Sequence, residues 1–110
     1  MATVYKVLGQ SAPSNTSNTD LYVVPASTDA VVSSITIANR SSSATTYRIA
    51  VRPDGAAVTN AHWLVYDAAI AGNTTVVYTI GVTANASDVI TVQNGAATLT
   101  FQAFGSEITA

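Results

Sequence analysis

Apolar and polar residues alternate one by one through much of the chain, and nowhere do apolar positions recur at helical spacing over several turns. The sharpest case is Thr45–Arg52, where Tyr47, Ile49 and Val51 fall on one face and Thr46, Arg48, Ala50 and Arg52 on the other. A period of two is what a half-buried antiparallel strand requires. The run stops at Pro53-Asp54-Gly55, where proline presets the turn and glycine accepts a positive φ. Weaker patterns predict strands over Thr3–Leu8, Thr19–Val24 (closed by Pro25), Ala30–Asn39, His62–Asp67 and Thr74–Ile80. Two further strands, Ser87–Gln93 and Ala96–Phe104, flank Asn94-Gly95, the pair best suited to a two-residue type I′ hairpin. That turn would set Ile90 opposite Leu99, Val92 opposite Ala97 and Asp88 opposite Phe101, the first two being apolar pairs on one face. Residues 9–19, rich in Ser, Asn and Thr, read as a loop or extended arm, and 56–61 as a loop or a single helical turn. Eight short strands rich in β-branched residues predict an all-β fold: a single-domain antiparallel β-sandwich over residues 1–110, jelly-roll or immunoglobulin-like.

Composition narrows what such a sandwich can do. Only 9% of the 110 residues are charged, against about 25% in soluble domains generally. The apolar share of 48% is largely Ala and Val, which suits the thin core between two sheets. The absence of cysteine excludes disulfides and thiolate metal sites. The start, Met1-Ala2-Thr3-Val4-Tyr5-Lys6, has no basic region leading into a long apolar run, so no signal peptide is expected. No stretch approaches the roughly 18 apolar residues of a membrane span. The cations Lys6, Arg40, Arg48 and Arg52 are too few and too scattered to follow a phosphate backbone. Neither nucleic acid nor membrane is therefore expected as a partner. Exposed sheet edges are usually blunted by charge or proline, yet Thr74–Ile80 and Ala96–Phe104 carry no charge. Both are expected to be central in a sheet or covered by a neighbouring subunit, whereas Lys6, Arg48 and Arg52 mark faces that meet water.

Candidate chemistry is sparse. His62 is the chain's one histidine, and no Gly-x-Ser-x-Gly turn accompanies any serine, so a backbone-held histidine is expected in place of a triad. The carboxylates Asp20, Asp29, Asp54, Asp67, Asp88 and Glu107 fall at predicted strand ends or turns. There aspartate caps local backbone, a simpler role than flanking a glycosidic bond. No Asp-x-Asp spacing supports calcium. Trp63 and Tyr66 are the candidates for a sugar-stacking platform, although a lone tryptophan in a small sandwich more often fills the core. Arg40, beside Ser41-Ser42-Ser43, reads as a solvated loop residue. The sequons at Asn15, Asn39, Asn73 and Asn85 are what so much Ser and Thr yields by chance. No catalytic residue, cofactor or metal is expected. Ser11–Asn18 lacks the apolar pattern that would fold it onto its own domain, so Ser11, Ser14, Asn15 and Asn18 are candidate contacts to a neighbouring subunit.

Six stretches carry a resemblance: Leu21-Tyr22-Val23-Val24-Pro25, Val31–Arg40, Tyr47–Val51, His62-x-Leu64-x-Tyr66-Asp67, Ser87–Val92 and Phe101-x-Ala103-Phe104-Gly105-x-Glu107. Together, over residues 20–107, the chain resembles small β-sandwich structural proteins of tailed-bacteriophage virions, including phages of cyanobacteria. The resemblance implies a virion location after synthesis in the host cytoplasm, and a non-enzymatic role with no site residues to carry over. A capsid decoration (cement) subunit binding the major capsid protein lattice and its own copies is the leading expectation. A neck, tail or fibre accessory is a close alternative, and a carbohydrate-binding module is the alternative of another class.

Overall fold

A computed structural model of the chain describes residues 2–109. Eight strands follow one another: β1 (Ala2–Ser11), β2 (Thr19–Val23), β3 (Thr28–Asn39), β4 (Thr45–Arg52), β5 (Trp63–Ile70), β6 (Thr75–Ala84), β7 (Val89–Asn94) and β8 (Leu99–Thr109). Between β4 and β5 lie two 3₁₀ turns, Pro53–Gly55 and Asn60–His62. The first turns where expected, with Asp54 at φ 57° and Gly55 at φ 68°.

Pairing explains the architecture. β1 pairs with β8, β2 with β7, β3 with β6 and β4 with β5, all antiparallel. The chain thus runs out and back as one long ribbon whose tip is the 53–62 segment. The ribbon is rolled up so that β3 also pairs with β8 and β4 with β7. Two packed four-stranded sheets result, ordered β1-β8-β3-β6 and β2-β7-β4-β5. The all-β sandwich is thus as expected, and its order is that of a jelly roll, not the ABED/CFG order of an immunoglobulin domain.

Rolling the ribbon requires both limbs to cross between sheets together, and the crossings are stitched by hydrogen bonds. Where β1 passes to β2, the Asn94 Nδ2 donates to the Pro13 and Asn15 carbonyls at 2.9 and 3.1 Å, and Gln93 Nε2 to Thr16 O at 2.8 Å. Where β2 passes to β3, Val24 and Ser87 or Asp88 exchange backbone bonds at 3.0 Å. Where β3 passes to β4, the buried Asn39 donates through Nδ2 to Ser43 O and Ala71 O. Its Oδ1 accepts from Ser41 N–H and Thr98 Oγ1. Glycine is required here by space: a Cβ on Gly72 would stand 2.1 Å from Ser42 O.

The expected hairpin at Asn94-Gly95 is therefore corrected. Its two strands lie in different sheets, and neither residue has the positive φ a type I′ turn needs. Asn94 serves its buried side chain to the crossing, and Gly95 lets the backbone reach Thr46, whose carbonyl accepts the Gly95 N–H at 2.7 Å. A Cβ on Gly95 would sit 2.6 Å from that oxygen. Of residues 9–19, expected as a loop or extended arm, 12–18 form a loop that crosses between the sheets. Gly9–Ser11 belong to β1, with Ser11 opposite Phe101, and Thr19 belongs to β2. The segment between is bound back onto its own domain by Gln93 and Asn94, so polar anchors supply what the missing apolar pattern could not.

Alternation places the core as predicted within the strands. Ile35 and Ile37 of β3 and Leu99, Phe101 and Ala103 of β8 face Tyr47 and Ile49 of β4, Ile90 and Val92 of β7 and Ile70 of β5. The layer is tied across by Tyr47 and Tyr78, whose hydroxyls lie 2.5 Å apart with the rings edge to face. At one end, Tyr22 of β2 donates its hydroxyl to Glu107 Oε2 of β8 at 2.5 Å, and Lys6 Nζ lies 3.2 Å from Oε1.

Candidate interaction surfaces

The two outer faces of the sandwich differ in chemistry. On the β2-β7-β4-β5 sheet, Arg52 is fully engaged: Nε donates to the buried Thr91 hydroxyl, Nη2 to Asp20, and Nη1 to the Gly55 and Ala56 carbonyls. Arg48 binds Asp67 through both Nε and Nη2 at 2.6 and 3.1 Å. That bidentate contact holds the Asp67 carboxyl below the usual range and raises the Arg48 guanidinium, so both stay charged. Arg48, Arg52 and Lys6 are each paired with a carboxylate, while Arg40 is exposed as expected.

The β1-β8-β3-β6 sheet presents the opposite surface. Register sets Gln10, Gln102, Thr36 and Val77 in one outward row and Val7, Phe104, Ser34 and Thr79 in the next. Tyr5 is 84% exposed and Val77 57%. Apart from Asp29 at one end, this face carries no charged side chain among the described residues.

Edges sharpen the contrast. The expectation that the charge-free segments Thr74–Ile80 and Ala96–Phe104 are central or covered divides: β8, which runs on through Glu107, is central, but β6 is an edge strand of the chain. The other three edges are blunted in the usual ways. β1 has Lys6 and a bulge at Leu8, β2 is five residues long with Asp20 and a register shift, and β5 has Asp67 and two shifts. β6 has one bulge, at Ile80-Gly81, and residues 68–87 contain no charge. Over Thr75–Thr79 its pairing to β3 is regular, so alternate N–H and C=O groups on its open side form a flat template.

Trp63 is a second correction. It does not join the core: it is half-buried on the outer face, its ring 5.3 Å from that of Tyr66 at 74°. The cause is local. Leu64 is an extra residue between the pairs Ala50–Trp63 and Ile49–Val65, and such a bulge turns the side chain before it outward. Ala50, outward by alternation but fully buried, lies opposite Trp63. Sequence reasoning could not find the bulge, because no glycine or proline marks it.

His62, Asp88 and Asn15 have structural partners. The Thr59 N–H donates to His62 Nδ1 at 3.1 Å, which leaves the proton of the neutral ring on Nε2. Asp88 accepts from the Asp54 and Asn85 backbone N–H groups at 2.8 and 2.9 Å, bracing the ribbon tip. Ser14, Asn15 and Asn18 are exposed on the first crossing, where Asn15 Oδ1 accepts from Ser17 N–H. No cluster of three or more His, Asp or Glu able to hold a metal occurs among the described residues, and no helix there is long and apolar enough to cross a membrane. Fold and surface together define a small jelly-roll sandwich with one ion-paired face and one neutral face. No protein-family model matches the chain, and no curated protein is significantly similar to it.

Proposed function

We propose that the chain is a non-enzymatic structural subunit of a phage virion, a capsid decoration protein that binds the major capsid protein lattice and its own copies. The observation that carries this reading is the uncharged, unpartnered β6 edge contiguous with a neutral sheet face. Such an edge is a liability in a free monomer and an asset in an assembly, where a neighbouring backbone or surface covers it. The resemblance of residues 20–107 to phage virion sandwiches supports the setting. The engagement of Asp20, Asp67, Asp88, Glu107 and His62 in structural contacts supports binding over chemistry.

The size of the face bears on how it would act. Four strands about 4.8 Å apart, each with some ten residues rising about 3.3 Å, make a face of roughly 600 Å². As a flat projection this is comparable to the roughly 800 Å² of accessible surface that each partner buries in a standard-size complex. Area alone does not set affinity, and repetition over a lattice adds to it. Neutral Ala, Val and Thr surfaces suit this, since they lose water with no ionic desolvation cost.

The test is Val77→Lys, which puts a charge on the open edge at a site 57% exposed. The variant should unfold within a few degrees of the wild type, yet lose weak self-association in sedimentation and occupancy on imaged particles. Unchanged association and occupancy would overturn the proposal.

A further inference from the structure

The Trp63–Tyr66 corner is shaped by irregular backbone. β5 has eight residues and two register shifts against β4, and Asp67 sits at φ 53°. In a regular strand, residues three apart point to opposite faces, so Trp63 and Tyr66 could not meet. The bulge at Leu64 brings them to one face as perpendicular walls. The second shift sets both Tyr66 and Asp67 opposite Arg48. The Arg48 guanidinium carbon then lies 3.9 Å from the Tyr66 ring centroid and 5.6 Å from that of Trp63, while Asp67 grips it at two points. Two backbone irregularities thus assemble a braced aromatic pair at the surface, with Tyr66 57% exposed.

Beside the pair lies an open hollow of about 400 Å³ lined by Asn60, Trp63 and Tyr66, within the size range of small-ligand sites. Its chemistry is specific. Asp67 already balances Arg48, so no free cation waits for an anion. Aromatic walls take up a face of C–H groups, and the Asn60 amide offers two donors and an acceptor to hydroxyls. A ligand with an apolar ring face and a hydroxyl rim satisfies all three residues. We propose that Asn60, Trp63 and Tyr66 form a binding site for a neutral saccharide, with a pyranose ring laid against the exposed surface of the aromatic pair beside Asn60. This site lies on the face opposite the neutral assembly surface, so it stays open on a particle that the other face contacts.

Trp63 is the chain's only tryptophan, so its emission reports on this site alone. The experiment titrates the intact chain with neutral hexasaccharides of β-linked glucose, α-linked glucose, mannose and galactose. At least one should give a saturable change in emission, insensitive to salt. Tyr66→Ala and Asn60→Ala should each weaken binding about tenfold, the scale of one aromatic or hydrogen-bonded contact. By calorimetry Trp63→Ala should abolish it and Trp63→Phe retain part, with circular dichroism verifying that each variant is folded. No saturable response to any of the four at about 10 mM would overturn the proposal. So would binding that survives Tyr66→Ala and Asn60→Ala together. Loss of particle attachment in Trp63→Ala with no saccharide response would reassign the corner to a protein contact and overturn it equally.

Discussion

Glu107 shows how much one side chain carries in a chain so poor in charge. The Tyr22 hydroxyl, first, and the Lys6 ammonium, second, hold its carboxyl below the ordinary glutamate range. Burial and the neighbouring carboxylate push the Tyr22 hydroxyl well above its ordinary range, so it remains a donor. The linkage follows directly. A folded pKa below the unfolded value of about 4.3 means the native state binds fewer protons in that interval. The stabilisation is complete above about pH 4.3 and is lost as pH falls through the lower folded value. Acid unfolding followed by circular dichroism should therefore show the midpoint temperature dropping below about pH 4.3. In Glu107→Gln the drop should be shallower, and at pH 7 this variant should lose about 1–2 kcal/mol. The exposed Arg48–Asp67 pair adds little to that slope. A wild-type curve flat down to pH 3 would contradict the assignment.

Strands were legible in the sequence because burial on one face imposes alternation, and each expected strand overlaps an observed one, although the ends of β1, β5, β6 and β8 differ by three to five residues. What joined them was less so. Asn94-Gly95 satisfies the chemistry of a tight turn, and local pairing with the right apolar matches is self-consistent. The competing demand is global: rolling the ribbon needs a crossing there, and a buried amide and a side-chain-free residue serve crossing and hairpin alike. The bulges of β5 were hidden for a related reason, since register is a property of two strands and the sequence displays one. The crossing makes its own prediction. Asn94→Ala removes the hydrogen bonds to Pro13 and Asn15 and should cost about 1–2 kcal/mol in denaturant unfolding. Hydrogen exchange should show residues 12–18 opening first, well before the strands they connect. If Asn94 were merely a hairpin residue, substitution would cost a few tenths of a kcal/mol and leave exchange in that segment unaltered.

At the scale of the whole molecule, scarcity of charge resolves into segregation. Lys6, Arg48 and Arg52 are bound to Glu107, Asp67 and Asp20, so even the charged positions present little net field. The β1-β8-β3-β6 face and its open β6 edge present almost none. Association through that surface must then rely on apolar burial and on backbone hydrogen bonds along β6. Electrostatic attraction between exposed charges weakens as the Debye length shrinks from about 10 Å at 0.1 M salt to about 3 Å at 1 M. Apolar burial does not weaken under those conditions. Self-association, and binding to particles stripped of the subunit, should therefore change by less than about threefold between 0.1 and 1 M sodium chloride. Sulfate, which strengthens apolar burial, should tighten both. The Val77→Lys variant gives the contrast within one protein: with a like charge added to each copy at the open edge, any residual self-association should rise with salt. A wild-type subunit released from particles by 1 M sodium chloride would show that ion pairs hold it, and would move the contact to the opposite face, where Arg48, Arg52 and their carboxylates lie.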